Sequence, residues 1–150
     1  MVSNSEISFG ESFEVKLTSK NVGDVADVLV ASIAFPELKE INDIIKIVSY
    51  DFIQSPVTIN VGDEIGAEYL SVQQTIPAEY PSIEAYTRPS RPGPEYHMTL
   101  EITPKEPGQF VFYAKAITLP HLTEISHLPL EGTVDHQGEF VEVYTVSVNP

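Results

Sequence analysis

The sequence predicts an all-β protein, an antiparallel β-sandwich of seven to nine strands in two sheets. The first observation is alternation, as in residues 97–102, where every second side chain is apolar. A period of two is typical of strands that bury one face. The second observation is that proline and glycine separate the alternating runs and so mark turns. The third is uneven strand spacing with two long connections, which favours a sandwich over a closed barrel.

Two strand pairs carry most of this pattern. In residues 13–35, an alternating strand is followed by a turn at 21–24 and by a nearly continuous apolar strand that Pro36 ends. Continuous apolar runs are typical of central strands covered on both faces. In residues 97–117, a turn at 104–108 separates two further runs. We therefore expect each pair to consist of antiparallel strands joined by a turn.

The middle of the chain predicts shorter strands. Residues 38–43 are the one segment suited to a helical turn, and strand-like runs follow at 44–53, 57–61 and 68–76. The next stretch, 77–94, holds five of the twelve prolines. Because proline donates no hydrogen bond to a β-ladder, we expect an exposed loop or edge excursion there and no central strand.

The last third of the chain predicts a second long connection and a final strand. Residues 119–138 contain Pro120, Pro129 and Gly132 and show no helical periodicity. Residues 140–148 then have the composition of a strand. Two long loops should therefore be attached to one sandwich.

Composition limits the partners. A chain of 150 residues suits one domain with a real core, and its net charge is −14, from 22 acidic residues against 8 basic ones. The negative electrostatic field of this charge repels phosphate backbones and anionic lipid surfaces. Neither nucleic-acid binding nor direct membrane insertion is therefore expected. No apolar stretch approaches the length of a membrane span. The charge indicates a soluble, self-repelling surface, or one suited to divalent ions or high salt.

The chain contains no cysteine, which excludes disulfides, cysteine catalysis and thiolate metal sites. Met1 is followed by polar residues, with no basic stretch leading into an apolar run, so no signal peptide is predicted. Either the protein is cytosolic or it is a domain of a longer exported chain. The final strand runs almost to residue 150, as in a module that stops where a linker begins, and this favours the second interpretation.

Two segments resemble a known family. Residues 13–23, FEVKLTSKNVG, followed by the small and apolar strand 26–33, resemble the opening of immunoglobulin-like CARDB modules. These are cell-adhesion-related domains of bacterial and archaeal surface proteins, in which a strand ends in an Asn-x-Gly turn. Residues 106–112, EPGQFVF, are similar to the Pro-Gly-x-aromatic corner that begins the penultimate strand of such domains.

The resemblance covers about a third of the chain. The middle, 41–96, is longer than such modules normally allow, and Phe110 and Phe112 replace the tyrosine of a tyrosine corner. The resemblance implies an immunoglobulin-like sandwich that serves as a structural or adhesive module, extracellular or on a cell envelope. Such modules carry no conserved catalytic residues, so it implies neither an enzyme nor a cofactor.

Histidines and loop carboxylates are the candidates for a metal site. His121, His127 and His136 lie in one connection beside acidic residues, a donor set that zinc accepts. Their spacing fits no established ligand pattern, and exposed loop histidine is the simpler interpretation. Asp63 and Glu64 have the hard oxygens that calcium prefers, but turn chemistry explains them better than a dedicated calcium loop. No metal site and no cofactor is therefore predicted.

Residues 77–96 hold the strongest candidates for binding. Tyrosine and arginine dominate interaction hot spots because they bring large area and directed hydrogen bonds. Here three tyrosines accompany both arginines of the chain, against an acidic background. The candidate protein-binding residues are Tyr80, Tyr86, Arg88, Arg91 and Tyr96. The competing interpretation is that the tyrosines pack the loop onto the sandwich and the arginines pair with nearby acids.

The sequence therefore predicts a non-catalytic module that acts as a spacer or contacts proteins through loops or an edge strand, self-association included. The first alternative is a carbohydrate-binding sandwich, which requires Tyr80, Tyr86 and Tyr96 to be coplanar on one open surface. The second is a metal-dependent or metal-stabilised domain, which requires the three loop histidines to converge. The third is a cytosolic regulatory domain.

Overall fold

The structure, a computed structural model, describes residues 2–20, 26–65, 76–87, 93–120, 126–135 and 140–150. All regular structure in these ranges is β-strand, so the predicted all-β class is confirmed. The same ranges contain no helix that could cross a membrane. The strands are β1 (Glu6–Ser8), β2 (Phe13–Lys20), β3 (Ala26–Ala34), β4 (Ile45–Tyr50), β5 (Val57–Ile59), β6 (Glu64–Ile65), β7 (Ile76–Pro77), β8 (Ser82–Thr87), β9 (Glu95–Ile102), β10 (Gly108–Pro120), β11 (Ser126–Leu128), β12 (Thr133–Val134) and β13 (Phe140–Asn149). They outnumber the predicted seven to nine because strands of two or three residues are too short to show alternation.

Two main sheets hold these strands. The small sheet has the order β2-β9-β4, and the large sheet has the order β1-β13-β10-β3-β8-β5, with β11 beside β10 and β12 beside β13. Neighbours run antiparallel, except that β1 is parallel to β13. β6 and β7 form a separate two-stranded sheet. The described architecture is therefore sandwich-like, with one broad sheet and one narrow sheet.

The two predicted strand pairs are not hairpins. β2 and β3 lie in different sheets, and so do β9 and β10. β2 instead pairs with β9, and β3 pairs with β10, so the two connections cross between the sheets at opposite ends. The sequence pattern did not decide this point, because a turn can also let two strands face each other across the core. Both arrangements produce the same alternation of apolar residues.

The turn between β9 and β10 depends on its glycine. Gly108 has a φ of 123°, a value that residues with side chains rarely adopt. Any other residue would be strained there, so this glycine helps to define where β10 begins. The corresponding turn of the first pair, residues 21–25, lies outside the described residues.

The core lies between the two sheets and is built by their alternate side chains. Phe13 of β2 reaches across it to Phe110 and Phe112 of β10, with ring centroids 5.8 and 6.4 Å away. Met98 and Leu100 of β9 are completely buried in the same cluster. Burying side chains of this size contributes about 1.5–3 kcal/mol each, which is the main force that joins the sheets.

Residues 77–94 do not form one exposed loop. β8 occupies the middle of this stretch and lies between β3 and β5 in the large sheet. All six of its residues are buried. In sequence, Pro81 precedes the strand and Pro89 follows it, so neither interrupts the ladder. The expectation of no central strand in this stretch was therefore wrong.

Two other segments differ from the sequence expectation, and a third is largely untested. The predicted connection 119–138 contains the end of β10 and the short strands β11 and β12. Residues 38–43 form turns and no helix, and Asp43 adopts a positive φ of 64° there. Most of the strand predicted at 68–76 lies outside the described residues.

Two segments pass from one sheet to the other along the sides of the sandwich. On one side, Val2 bridges Val15 of β2, and β1 then pairs with β13 of the large sheet. On the other side, the chain leaves β4 at the end of the small sheet and enters β5 at the end of the large sheet. We call residues 48–61 on this second side the crossing flank.

Candidate functional site

The structure separates the three predicted tyrosines. Tyr86 lies in β8, on the face of the large sheet that points away from the core, and is only 4% exposed. Tyr80 packs edge-on against Tyr113 of β10, with ring centroids 6.0 Å apart. Tyr96 begins β9 and packs against the core, with its ring 5.6 Å from that of Phe52. These rings pack the fold and do not form one common surface.

Arg88 and Arg91 lie outside the described residues, in the segment that follows β8. Thr87, the last described residue before them, is buried, and its hydroxyl accepts a hydrogen bond from the backbone N–H of Ile53 at 3.4 Å. This hydrogen bond joins the end of β8 to the crossing flank. A binding role for the five candidate residues stays a prediction.

A row of buried polar residues crosses the outer face of the large sheet. Glu84 of β8 pairs with Ser32 of β3, and Ser32 pairs with Lys115 of β10. Sequence neighbours such as Ile33 and Ile83 belong to the core, so these three side chains point to the opposite face. All three are buried, with Glu84 only 2% exposed. We call Glu84, Ser32 and Lys115 the polar row.

Both ends of the polar row are held by further polar groups. The hydroxyl of Tyr86 donates a hydrogen bond to Oε2 of Glu84 at 2.5 Å. At the other end, Nζ of Lys115 lies 2.9 Å from Oδ2 of Asp135, and the two side chains are 6% and 4% exposed. A buried charge is unfavourable unless it is paired and hydrogen-bonded. These contacts explain how the ionisable groups tolerate their burial.

Lys115 stands where β10 changes its neighbour. β13 pairs with β10 as far as Ala114, and β11 pairs with β10 from Ala116 onward. Asp135 directly follows β12, which pairs with the first two residues of β13. The contact between Lys115 and Asp135 therefore fastens the segment 126–135 to the large sheet.

A second polar cluster lies at the surface, where β9 meets the crossing flank. His97 Nδ1 is 2.9 Å from Asp51 Oδ2, and the backbone N–H of His97 also donates to Asp51 Oδ1. Oε2 of Glu95 is 3.6 Å from Nε2 of the same ring. Partial burial acts to raise the pKa of Asp51, but the hydrogen bonds and charge of His97 outweigh it and lower the pKa. The cluster is thus an exposed, pH-responsive contact.

Cavities lined by described residues include one at the end of the sandwich and one beside Tyr144. One of about 380 Å³ lies at the end of the sandwich, between residues 37–44 and the corner 104–110, with Phe110 in its wall. The other, of about 180 Å³, lies beside Tyr144, whose hydroxyl donates to Oε2 of Glu142 at 2.7 Å. That hydrogen bond, with burial and the carboxylate charge, raises the pKa of Tyr144 to about 12. The larger cavity is within the size range of small-ligand pockets, but its charged lining of both signs selects no ligand class.

The described residues contain no group of three or more side chains able to hold a metal ion. Asp63, a calcium candidate by sequence, accepts a hydrogen bond from the backbone N–H of Asn60 at 2.8 Å and so serves a turn. The side chains of His121, His127 and His136 lie outside what the structure describes. The convergence of these three histidines, which the metal-dependent alternative requires, is therefore not tested.

Sequence reasoning missed the polar row. Glu84 and Lys115 each interrupt an otherwise apolar or small run, in SIEAYT and FVFYAKAI. A charged residue inside a buried strand is the signal that identifies such positions. Asp135 carries no comparable signal, because it lies in a polar loop and its partner is 20 residues away.

No family model matches the sequence, and no curated protein is significantly similar to it. Among solved structures, the chain is similar to one described as AvmM, which catalyses macrocyclization in alchivemycin A biosynthesis. The sequences are 11% identical, the match covers 100% of this chain and 88% of the other, and the TM-score is 0.44. At this TM-score the likeness supports no inference about fold or activity.

Proposed function

We propose that this chain is an immunoglobulin-like β-sandwich that acts as a non-catalytic structural or adhesive module of a bacterial or archaeal cell-surface or secreted protein. Its mechanism is passive. A rigid sandwich sets the spacing within the parent protein and presents surfaces to other proteins. The observation that carries the proposal is the pair of connections, β2 to β3 and β9 to β10, that cross between the sheets.

These crossings support an immunoglobulin-like arrangement because they follow its connection rule. In immunoglobulin domains, strands B, E and D are neighbours in one sheet, and strands C, F and G are neighbours in the other. Here the orders β2-β9-β4 and β3-β10-β13 correspond to those two sets. The segments that resemble CARDB modules, 13–23 and 106–112, include most of β2 and the start of β10.

One difference from variable-type immunoglobulin domains lies in the chain order. β4, at the position of strand D, comes before β5 and β8, whereas the C′ and C″ strands precede D in variable domains. β8 nevertheless takes the place beside β3 that C′ has beside C. The long middle of the sequence thus broadens the large sheet without displacing the six strands that correspond to B to G.

The crossing flank is the surface that we assign to protein contacts. Its exposed large apolar side chains are Val48, Tyr50, Ile53, Val57 and Val61. Clustered apolar exposure beside sheet edges suits a protein partner better than solvent. Because the exposed side chains of the flank are mostly aliphatic, a partner surface with apolar groups fits it best.

Accessibility on intact cells tests the proposed location. Mild proteolysis of intact cells of the source organism, together with the culture medium, should yield peptides of this chain by mass spectrometry. A cytosolic enzyme followed in the same digest should stay uncleaved until the cells are lysed. Recovery of this chain only after lysis would contradict the proposal and favour the cytosolic regulatory alternative.

Carbohydrate binding, the first alternative, requires Tyr80, Tyr86 and Tyr96 on one open surface. Tyr86 is buried and Tyr96 packs against the core, so the three rings do not offer a stacking platform. Specific binding on a glycan array would show that another surface serves this purpose.

A further inference from the structure

The contact between Lys115 and Asp135 holds an amine beside a carboxyl group inside the fold. Nζ and Oδ2 are 2.9 Å apart, and both side chains are almost fully buried. Groups fixed at about 3 Å react with the advantage of an intramolecular process, since no encounter has to be organised. A second buried carboxyl group, Glu84, lies on the same sheet face. We propose that Lys115 and Asp135 condense to form an intramolecular isopeptide bond.

A gain in the stability of the fold does not by itself explain why a buried ion pair is present here. Taking two charges out of water costs more than their attraction commonly returns, and apolar pairs of similar volume often stabilise as well or better. Apolar side chains are buried on the same face, since Val30 and Ile117 are each 1% exposed. Conversion to an amide removes both charges, so the unfavourable burial of charge ends with the reaction.

The reaction balances as a condensation. In its first step, one proton moves from Nζ of Lys115 to Oδ2 of Asp135 along their 2.9 Å contact, which gives an amine and a carboxylic acid. The amine lone pair then attacks Cγ of Asp135 and forms the Nζ–Cγ bond of a tetrahedral adduct. Nζ loses a second proton, the hydroxyl group on Cγ gains one, and the Cγ–O bond breaks to release water. The products are one amide and one water, and nothing is oxidised or reduced.

Glu84 is the carboxyl group of the polar row that could accept the second proton. Glu84 and Lys115 stand on either side of Ser32 in the polar row, so both carry their side chains on the same face of the large sheet. The hydroxyl of Tyr86 orients the Glu84 carboxyl group. We assign Glu84 as a positioning residue that relays the proton from Nζ toward the departing oxygen.

The bond joins the middle of β10 to the residue after β12. It closes the intervening residues 116–134 into a covalent loop, in a chain that has no cysteine to form a disulfide. Such a link restricts the unfolded chain much as a disulfide does, but thiols cannot reduce it. The inference is independent of the proposed function, and its failure would leave that proposal unaffected.

The mass of the intact, denatured chain tests the proposal. We expect the purified protein to weigh one water less than its sequence, and a digest to contain a branched peptide that joins the Lys115 and Asp135 segments. Lys115→Arg retains the positive charge but lacks the primary amine, so it should show the full sequence mass. A wild-type chain of full mass with both peptides free, or an equal loss of water from Lys115→Arg, would overturn the proposal.

The role of Glu84 is tested by the rate of water loss after refolding from denaturant. Glu84→Gln keeps the shape but relays no proton readily, so it should slow bond formation at least tenfold. Glu84→Asp retains a carboxyl group and should recover part of the rate. A rate for Glu84→Gln equal to that of the wild type would remove Glu84 from the mechanism, and the mass of the wild type would still decide whether the bond exists.

Discussion

The two sheets bury their outer faces very differently. In β2 of the small sheet, buried residues alternate with exposed ones, and Lys16 and Thr18 stand in solvent. In β8 of the large sheet all six residues are buried, although every second one points away from the core. Charged residues such as Lys16 on the outer face of the small sheet are exposed to solvent, whereas Glu84 and Lys115 on the outer face of the large sheet are buried. Enclosure, and not residue type, is what makes the second face a candidate for chemistry.

Segments outside the central strands account for part of this enclosure. Tyr80 packs on Tyr113, and Asp135 reaches Lys115, each from a stretch that its prolines marked as loop. Both contacts fall on the outer face of the large sheet. A face of a sheet thus loses its contact with solvent when loop segments cover it. The polar groups on that face must then form hydrogen bonds or ion pairs within the protein.

The largest effect is expected when a new charge is introduced on the outer face of the large sheet and compared with one on the outer face of the small sheet. Val30→Asp puts an unpaired carboxylate on the covered face and should lower the free energy of unfolding by more than about 4 kcal/mol. The matched change Thr18→Asp lies on the open face and should cost less than about 1 kcal/mol. Urea denaturation measures both. Similar losses at the two positions would mean that water reaches the outer face of the large sheet.

A smaller effect is expected from removing one hydroxyl. Tyr86→Phe deletes the buried hydrogen bond to the Glu84 carboxyl group and should destabilise by about 1.5–3 kcal/mol, as for hydrogen bonds to charged groups. Tyr50→Phe deletes an exposed hydrogen bond of 3.0 Å to Ser55 Oγ and should cost less than about 1 kcal/mol. Thermal unfolding of the two variants compares them directly, and equal shifts would contradict the enclosed environment of Glu84.

The smallest effect is expected from the exposed pair of Asp51 and His97. Because the pKa of Asp51 is lowered in the fold, its contribution is present above about pH 4 and is lost as the pH falls toward the folded value. Asp51→Asn should therefore flatten the acid side of the stability curve slightly, since solvent screens this pair.

His97→Gln removes the partner of Asp51 and should flatten the curve in the same way. The double variant should change little further, because the two residues act as one unit. Unfolding curves collected between neutral and acidic pH measure the effect. Parallel curves for the wild type and Asp51→Asn would show that the contact does not contribute in solution.

Much of the core was predictable from local pattern. The alternation in residues 97–102 correctly indicated Met98, Leu100 and Ile102 as buried, and Phe13 and Val15 are likewise buried as their strand pattern predicts. The packing contacts of Tyr80, Tyr86 and Tyr96 were not predictable in this way, because tyrosines serve packing and recognition equally well. Local sequence does not say which neighbour a ring will meet.

The sequence by itself determined that the protein is all-β, where its long strands run, and which face of most strands is apolar. Only the tertiary structure decided that each strand pair crosses between sheets, that β8 enters the large sheet, and that Lys115 meets Asp135. The physical reason is the distance along the chain over which each effect acts. Alternation and turn chemistry act over a few neighbouring residues, whereas pairing and burial depend on contacts between Ser32, Glu84 and Lys115, which are far apart in the chain.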